Sequence, residues 1–294
     1  MQRSKTRANR HHADRESEGV LILLARKHRL VIEKNTAGPT TKLENKVAII
    51  TGSGSGLGRA SALLFAQEGA KVVVADIAAQ HAEETAQMIK RRDGEAITCH
   101  VDVTRAADCE RMVAEAVDKY GKLDIMFNNV GGGGGITKLV DLTEEEWSRV
   151  ISLNLTSVFL ATKFAVREML KNKGGVIINV SSPAAYLPAR GGVYGIAKAG
   201  VIHLTKITAL EYGRDNIRAN CIMPGPMDTA FFHHMAPETP QIGEAIKASS
   251  VKHILLGRLA DPAEVAKVAL FLASDDASFV TGAVWTIDSG YSLL

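Results

Sequence analysis

Short apolar runs rich in β-branched residues alternate with helix-like stretches from Lys46 to the end of the chain. Seven runs predict strands: KVAIIT (46–51), KVVVAD (71–76), AITCHV (96–101), LDIMFN (123–128), GVIINV (175–180), IRANCI (217–222) and AVWTID (283–288). Apolar residues recur at helical spacing over 60–68, 82–91 and 113–120. Nearly continuous apolar strands are typical of a parallel sheet covered on both faces, so the pattern predicts a single doubly wound α/β domain.

A long helix is predicted after the glycine-rich segment 131–135. Thr143 and Glu146 have the spacing of a capping box, so we expect a helix from about residue 144 to Lys171. Residues 1–42, in contrast, show no sustained periodicity. We interpret them as a basic disordered arm, or as a translation start placed too far upstream, and we assign residues 43–294 to the domain.

Composition excludes some classes of function. The formal charge of +3 comes from an excess of Lys and Arg before residue 42, so it does not predict a nucleic-acid surface on the domain. No apolar stretch approaches the roughly 20 residues of a membrane span, and we expect none. The three cysteines, Cys99, Cys109 and Cys221, lack metal-ligand spacing. We therefore expect buried thiols in the reducing cytoplasm, with no disulfide and no metal.

The first predicted strand leads directly into TGSGSGLGRA (51–60) and an amphipathic helix. This order is the setting of a dinucleotide-binding fingerprint, because glycines let the backbone approach a pyrophosphate at a helix N-terminus. The alternative is a plain tight connection between strand and helix.

Asp76 ends the second predicted strand, 18 residues after Gly58. A carboxylate at this place can bond ribose hydroxyls and would repel a 2′-phosphate. Ser55 and Ile77, which flank the same pocket, offer no cation to such a phosphate. We therefore expect NAD(H) as the cofactor, with NADP less favoured; the alternative is a solvated aspartate at a strand end.

Residues 44–291 resemble the short-chain dehydrogenase/reductase family, which has a Rossmann fold. Its motifs follow the predicted strands in the family's order: TGxxxGxG (Thr51, Gly52, Gly56, Gly58), Asp-Val (Asp102, Val103), NNAG with Val for Ala (Asn128, Asn129, Val130, Gly131) and PG (Pro224, Gly225). The resemblance implies a cofactor site that consists of Thr51, Gly52, Ser55, Gly56, Leu57, Gly58, Asp76, Ile77, Asp102, Val103, Asn128, Tyr194, Lys198, Pro224, Gly225, Met227 and Thr229. Asp102 and Val103 would contact adenine, while Met227 and Thr229 would hold the carboxamide.

The family's catalytic set is Asn, Ser, Tyr and Lys, which correspond here to Asn154, Ser182, Tyr194 and Lys198. A lone YxxxK pattern is weak evidence, because such a pair on a helix is often a packing pair. Ser182 lies one position closer to the tyrosine than is usual in the family, and Ser181 would restore the spacing. We prefer Ser182, because a loop residue is lost more easily than strand register slips.

The chemistry requires a base, and an unperturbed tyrosine with a pKa of about 10 is a poor one at neutral pH. We expect Lys198, one helical turn away, to lower the pKa of Tyr194 and to bond the nicotinamide ribose. Ser182 would hold the substrate oxygen, and Asn154 would anchor a water that leads the proton from Lys198 to solvent. The sequence therefore predicts an enzyme that interconverts a secondary alcohol and a ketone, with Tyr194 as general acid/base.

Residues 227–257 correspond to the family's substrate lid and combine apolar residues with His233, His234 and His253. The lid predicts a small, mostly apolar substrate that the sequence does not identify, and adjacent histidines are usually solvated, so we expect no metal. The C-terminal region resembles the segment that pairs subunits in the family, which implies a homotetramer.

Two other functions remain open. One is an NADPH-dependent 3-oxoacyl thioester reductase with the same catalytic set. The other is a catalytically silent nucleotide-sensing scaffold, which the shortened Ser to Tyr spacing favours.

Overall fold

Seven parallel strands form one sheet within the residues that the computed structural model describes, 41–133, 137–188, 192–229 and 240–293. The strands are β1 (Val47–Thr51), β2 (Lys71–Asp76), β3 (Ala96–His100), β4 (Ile125–Asn128), β5 (Gly175–Val180), β6 (Ile217–Pro224) and β7 (Val284–Ile287). Their order across the sheet is β3-β2-β1-β4-β5-β6-β7. The chain winds outward from β1, crosses back to β4 and winds outward again, which confirms the doubly wound prediction.

Helices connect the strands and cover both faces of the sheet. They are α1 (Gly56–Gln67), α2 (Ala79–Lys90), α3 (Ala106–Tyr120), α4 (Glu144–Ile151), α5 (Ser157–Lys171), α6 (Gly192–Tyr212), α7 (Pro240–Val251) and α8 (Pro262–Ala273). The first three begin three to seven residues earlier than predicted. In α1 and α2 the first turns carry glycine or polar residues that interrupt the apolar spacing. In α3 the prediction began too late, because the buried Cys109 and Met112 already belong to its apolar face. All belong to one compact unit, Thr41–Leu294, so no second domain is needed.

A turn of π-helix over Ser152–Thr156 joins α4 to α5, so the predicted long helix is continuous but not uniform. Its N-terminus is capped as expected by the Thr143 hydroxyl, which accepts from the Glu146 N–H at 3.1 Å. The other half of the predicted capping box differs, because the Glu146 carboxylate accepts from the Thr137 hydroxyl at 3.1 and 3.2 Å.

Contrary to the expectation from the sequence, one helical stretch among the described residues, Glu144–Lys171, is long and apolar enough to cross a membrane; its most apolar 18 residues have a mean hydropathy of 1.3. Half of its apolar window is buried inside the protein, where α5 packs on the sheet through residues such as Phe164 and Met169. Packing in the core of a globular domain accounts for this composition.

Two apolar layers separate the sheet from its helices. On one face α1, α2 and α8 pack around Phe65, whose ring stacks on that of Phe127 in β4 with centroids 6.2 Å apart. On the other face α3 and α5 cover β1, β2 and β4, and α6 covers β6. The three cysteines are buried free thiols within this interior, as predicted.

We expect Phe65→Ala to destabilise the fold by about 3–5 kcal/mol, because it removes a fully buried ring and leaves a cavity between α1 and the sheet. Urea unfolding of Phe65→Ala beside Val140→Ala, a change at an exposed site, measures the effect. Equal midpoints for the two variants would contradict the packing described for Phe65.

Candidate active site

The carboxyl ends of the parallel strands meet at one edge of the sheet, where the predicted site residues converge. The glycine turn leaves β1 and enters α1 with its backbone tightly folded: an ideal Cβ at Gly58 would lie 2.1 Å from the carbonyl oxygen of Gly52. Only glycine fits there. The turn thus leads a bare backbone into the N-terminus of α1, as a pyrophosphate site requires.

Asn129, the residue that follows β4, holds this glycine turn in place. Its Nδ2 donates to the carbonyl oxygens of Thr51 and Gly52 at 2.9 and 3.3 Å. Its backbone N–H donates to the hydroxyl of Thr51 at 3.0 Å. Thr51, predicted to bind the cofactor, therefore ties β1 to the loop after β4.

Asp76 lies where the sequence placed it, at the end of β2 and beside the glycine turn. One carboxylate oxygen accepts from the backbone N–H of Gly54 at 2.8 Å and the other from that of Ala78 at 2.9 Å. Ile77 is exposed next to it, and Ser55 is exposed at the start of α1. This corner therefore places a carboxylate on the wall of the predicted adenosine pocket, flanked by the uncharged side chains of Ser55 and Ile77.

Asp102 and Val103 follow β3 along the same edge. The carboxylate of Asp102 accepts from the backbone N–H and the hydroxyl of Thr104 at 3.0 and 2.7 Å, and Val103 is buried. Asn128 is turned into the interior, where its Nδ2 donates to Asn179 Oδ1 at 2.8 Å and to the Thr162 hydroxyl at 3.1 Å. Asn128 thus holds strands and helix together beneath the site.

The loop after β6 closes the other side of the groove. Pro224 ends β6, and the loop contains Gly225, Met227 and Thr229, of which Met227 pairs with Ala260 ahead of α8. An ideal Cβ at Gly56 would lie 3.4 Å from Cγ2 of Thr229, so the two predicted cofactor segments face each other. The part of the predicted lid at 230–239, with His233 and His234, lies outside the described residues.

Lys198 is buried on α6, and both its side chain and its backbone are hydrogen-bonded to residues at the end of β5. Its Nζ donates to the carbonyl oxygen of Val180 at 2.9 Å. Its own carbonyl oxygen accepts from the Ser181 hydroxyl at 2.8 Å. Two consecutive residues at the end of β5 therefore fix the lysine, and Ser181 has a positioning contact that the sequence did not reveal.

The next residue, Ser182, faces Tyr194 instead, and the two side chains share a hydrogen bond. Lys198 Nζ lies 5.6 Å from the centroid of the Tyr194 ring, one turn along the same helix. Of the two candidate serines, the structure therefore brings Ser182 to the tyrosine and directs Ser181 to the helix backbone.

The electrostatics differ from the expectation that Lys198 lowers the pKa of Tyr194. Burial raises the pKa of Tyr194 to about 12, although the Ser182 hydrogen bond acts in the opposite direction. Burial also lowers the pKa of Lys198 to about 8. Burial of the phenol is thus the main influence on Tyr194 in the protein without its cofactor, and a lowered pKa in the presence of Lys198 and the oxidised nicotinamide stays a prediction.

Asn154 lies in the π-helical turn and is completely buried. Its Oδ1 accepts from the Gly132 N–H at 3.1 Å, and its Nδ2 donates to the carbonyl oxygens of Gly132 and Val150, both at 3.0 Å. The π turn, a feature frequent at functional sites, thus fixes Asn154 against the loop after β4.

Comparison with known proteins agrees with this geometry. A family described as enoyl-(acyl carrier protein) reductase matches residues 52–292. The 3-oxoacyl-(acyl-carrier-protein) reductase of Thermotoga maritima is 40% identical over 253 residues, 85% of this chain and 98% of its own. The cyclohexanol dehydrogenase of an Acinetobacter species is 40% identical over 254 residues, 86% of this chain and 97% of its own.

A solved structure of 7α-hydroxysteroid dehydrogenase with NADH and 7-oxoglycochenodeoxycholic acid has a TM-score of 0.76 at 36% identity. The match covers 85% of this chain and 96% of that one. This chain belongs to the short-chain dehydrogenase/reductase family. It is an oxidoreductase of that family, whose fold binds a nicotinamide cofactor. The residues present fit such a cofactor, since the turn around Gly58 leaves backbone space that a side chain would fill.

The buried lysine predicts a pH-dependent stability. Lys198 has a pKa of about 8 in the folded protein and 10.5 as a model value, so between these pH values the unfolded chain binds more protons. Stability should rise with pH across this range, by as much as about 3 kcal/mol relative to Lys198→Met. Urea unfolding at a series of pH values measures this difference.

Lys206→Met, which removes an exposed lysine from the same helix, is the matched control for the loss of one charge. A difference between wild type and Lys198→Met that stays constant from neutral pH to pH 10.5 would contradict the burial cost assigned to Lys198.

Proposed function

We propose that this oxidoreductase interconverts a secondary alcohol and a ketone with NAD(H), and that Tyr194 is the general acid/base. The hydrogen-bonded pair of Ser182 and Tyr194 beside a buried Lys198 is the observation that carries the proposal. These three groups lie at the sheet edge where the predicted cofactor segments also converge.

In the reductive direction Tyr194 supplies a proton. With a pKa near 12 its phenol is protonated at neutral pH and can donate to a carbonyl oxygen, while Ser182 donates a second hydrogen bond to that oxygen. In the oxidative direction Tyr194 must first lose its proton, so alcohol oxidation should be favoured by alkaline conditions. When bound, the nicotinamide cofactor exchanges the hydride and, oxidised, adds a positive charge that favours the phenolate.

Lys198 and Asn154 complete the proposed proton path. The lysine's pKa of about 8 lies close to neutrality, so its Nζ can exchange a proton without a large energetic cost. Asn154 would anchor the water that takes this proton to solvent. Val180 and Ser181 act through Lys198, since they keep its side chain and backbone in place.

Asp76 supports NAD over NADP. A 2′-phosphate on the adenosine ribose would meet a carboxylate whose two oxygens already accept backbone N–H bonds at 2.8 and 2.9 Å. The carboxylate therefore cannot turn away freely. The NADH complex of 7α-hydroxysteroid dehydrogenase, 36% identical, is consistent with this choice.

We propose a small, mostly apolar substrate, for which the similarity to a cyclohexanol dehydrogenase is the support. A second candidate is reduction of a 3-oxoacyl thioester with NADPH, because the Thermotoga maritima relative at 40% identity is named for this reaction. Asp76 weighs against the second candidate. We also propose a cytoplasmic protein, since its thiols are reduced and buried.

We propose a homotetramer as well. Large apolar side chains are exposed along the helices from α4 to α6: Trp147, Phe159, Leu170, Ile196, Ile207 and Leu210. Apolar side chains repeated along helix faces are suited to pairing between copies of the chain.

We expect Tyr194→Phe to abolish turnover in a panel of secondary alcohols at mildly alkaline pH, with NADH binding retained. Ser182→Ala should lower kcat by about 100-fold or more, as loss of a group that bonds the reacting oxygen does. Ser181→Ala, the matched control, should lower it much less. Undiminished activity of Tyr194→Phe would exclude the mechanism, and silence of the wild type despite tight NADH binding would favour the sensing scaffold.

We expect the wild type to use NAD at least tenfold more efficiently than NADP, since about 1.4 kcal/mol of repulsion from Asp76 suffices for that ratio. Steady-state kcat/KM with each cofactor measures it. Preference for NADPH, together with activity on a 3-oxoacyl thioester, would establish the second candidate instead.

A further inference from the structure

We propose that Gly54 determines the cofactor selectivity of this enzyme, because it orients the carboxylate of Asp76. This inference rests on the proposed role of Asp76 in selecting NAD. It concerns a residue outside the predicted cofactor site, since the glycine motif of the resemblance comprises Gly52, Gly56 and Gly58 and leaves position 54 open.

The first observation is a direct bond between the two residues. The Gly54 N–H donates to Oδ2 of Asp76 at 2.8 Å, while Oδ1 accepts from Ala78 at 2.9 Å. Each oxygen therefore has one backbone donor, and the two donors belong to different segments, the glycine turn after β1 and the residues after β2. Bonds to a charged group are the stronger ones, so together they favour a single orientation.

The second observation is that there is no space for a side chain at position 54. An ideal Cβ there would lie 2.8 Å from Oδ2 of Asp76, 3.0 Å from its Cγ and 2.8 Å from Cβ of His81 in α2. These approaches are far shorter than van der Waals contact, which begins near 3.5 Å for carbon. Any side chain at position 54 must displace the carboxylate or the first turn of α2.

A displaced carboxylate would change selectivity in a defined direction. The ribose hydroxyls of NADH would lose a well-placed acceptor, and the negative charge would move away from the position of a 2′-phosphate. The N–H of residue 54, released from Asp76, would become a donor available to that phosphate. Binding of NADH should therefore weaken, and discrimination against NADPH should decrease.

Fluorescence titration of NADH and NADPH with the complete protein tests the inference without any substrate. We expect Gly54→Ala to bind NADH about tenfold more weakly and to lower the ratio of Kd for NADPH to Kd for NADH by about tenfold, the scale of one charge-assisted hydrogen bond. Gly213→Ala is the matched control, because a Cβ at that exposed turn meets nothing within 4 Å. It should leave the ratio unchanged.

A double-mutant cycle with Asp76→Ala identifies the contact responsible. Without the carboxylate, Gly54→Ala should change the ratio no further. An equal effect of Gly54→Ala in both backgrounds, or an unchanged ratio in the single variant, would overturn the inference. Should Gly54→Ala alone fail to fold, restored folding in the double variant supports the contact, and continued failure overturns it.

The two proposals fail in different ways. If the wild type prefers NADPH, Asp76 does not select NAD, and the inference about Gly54 loses its premise. A wild type that prefers NADH, combined with an unchanged ratio in Gly54→Ala, leaves the proposed function in place and removes only the role of Gly54.

Discussion

The ammonium group of Lys198 lies out of water, and a buried charge is costly unless the protein supplies a partner at short range. The carbonyl oxygen of Val180 is such a partner. This bond joins α6 to the end of β5. The hydroxyl of Ser181 secures the same residue through its backbone, and Tyr194 then lies over Ser182. Three consecutive residues thus hold three different groups: Val180 the lysine side chain, Ser181 the helix backbone and Ser182 the tyrosine.

A network of buried polar side chains lies beneath the contact between Lys198 and β5. Asn128 in β4 bonds Asn179 in β5, which donates to the hydroxyl of Thr205 in α6 at 2.9 Å; Thr162 in α5 joins from the other side. All four side chains are buried. Hydrogen bonds require defined distances and angles, whereas apolar contacts tolerate sliding. The network therefore gives the two strands and two helices that carry the site a fixed register.

Most of the fold could be predicted from the sequence, because strands buried on both faces must be almost entirely apolar. Runs such as KVVVAD therefore stand out, and their ends agree with β2. Helix starts were less visible: α1 begins at Gly56, where glycines on both sides of the buried Leu57 interrupt the apolar spacing.

The positions of the candidate catalytic residues followed from motifs, but their electrostatics did not. The raised pKa of Tyr194 depends on burial, which is created by segments far apart in the chain. The same holds for contacts made by backbone atoms, such as those that join Asn129 to Thr51 and Gly54 to Asp76. Residue types do not reveal such pairs, because any residue has an N–H or a carbonyl to offer.

The π turn between α4 and α5 constrains how the length of this segment can change during evolution. A π turn contains one residue more than the α-helical turn it replaces, so removing one residue would let the backbone close into a regular α-helix while the flanking segments keep their orientation. The apolar side of α5 would still face the sheet, but the wider turn that presents Asn154 to Gly132 would be lost. A deletion here should therefore spare the fold and remove the site, whereas a deletion within a regular α-helix rotates everything beyond it by about 100° about the helix axis.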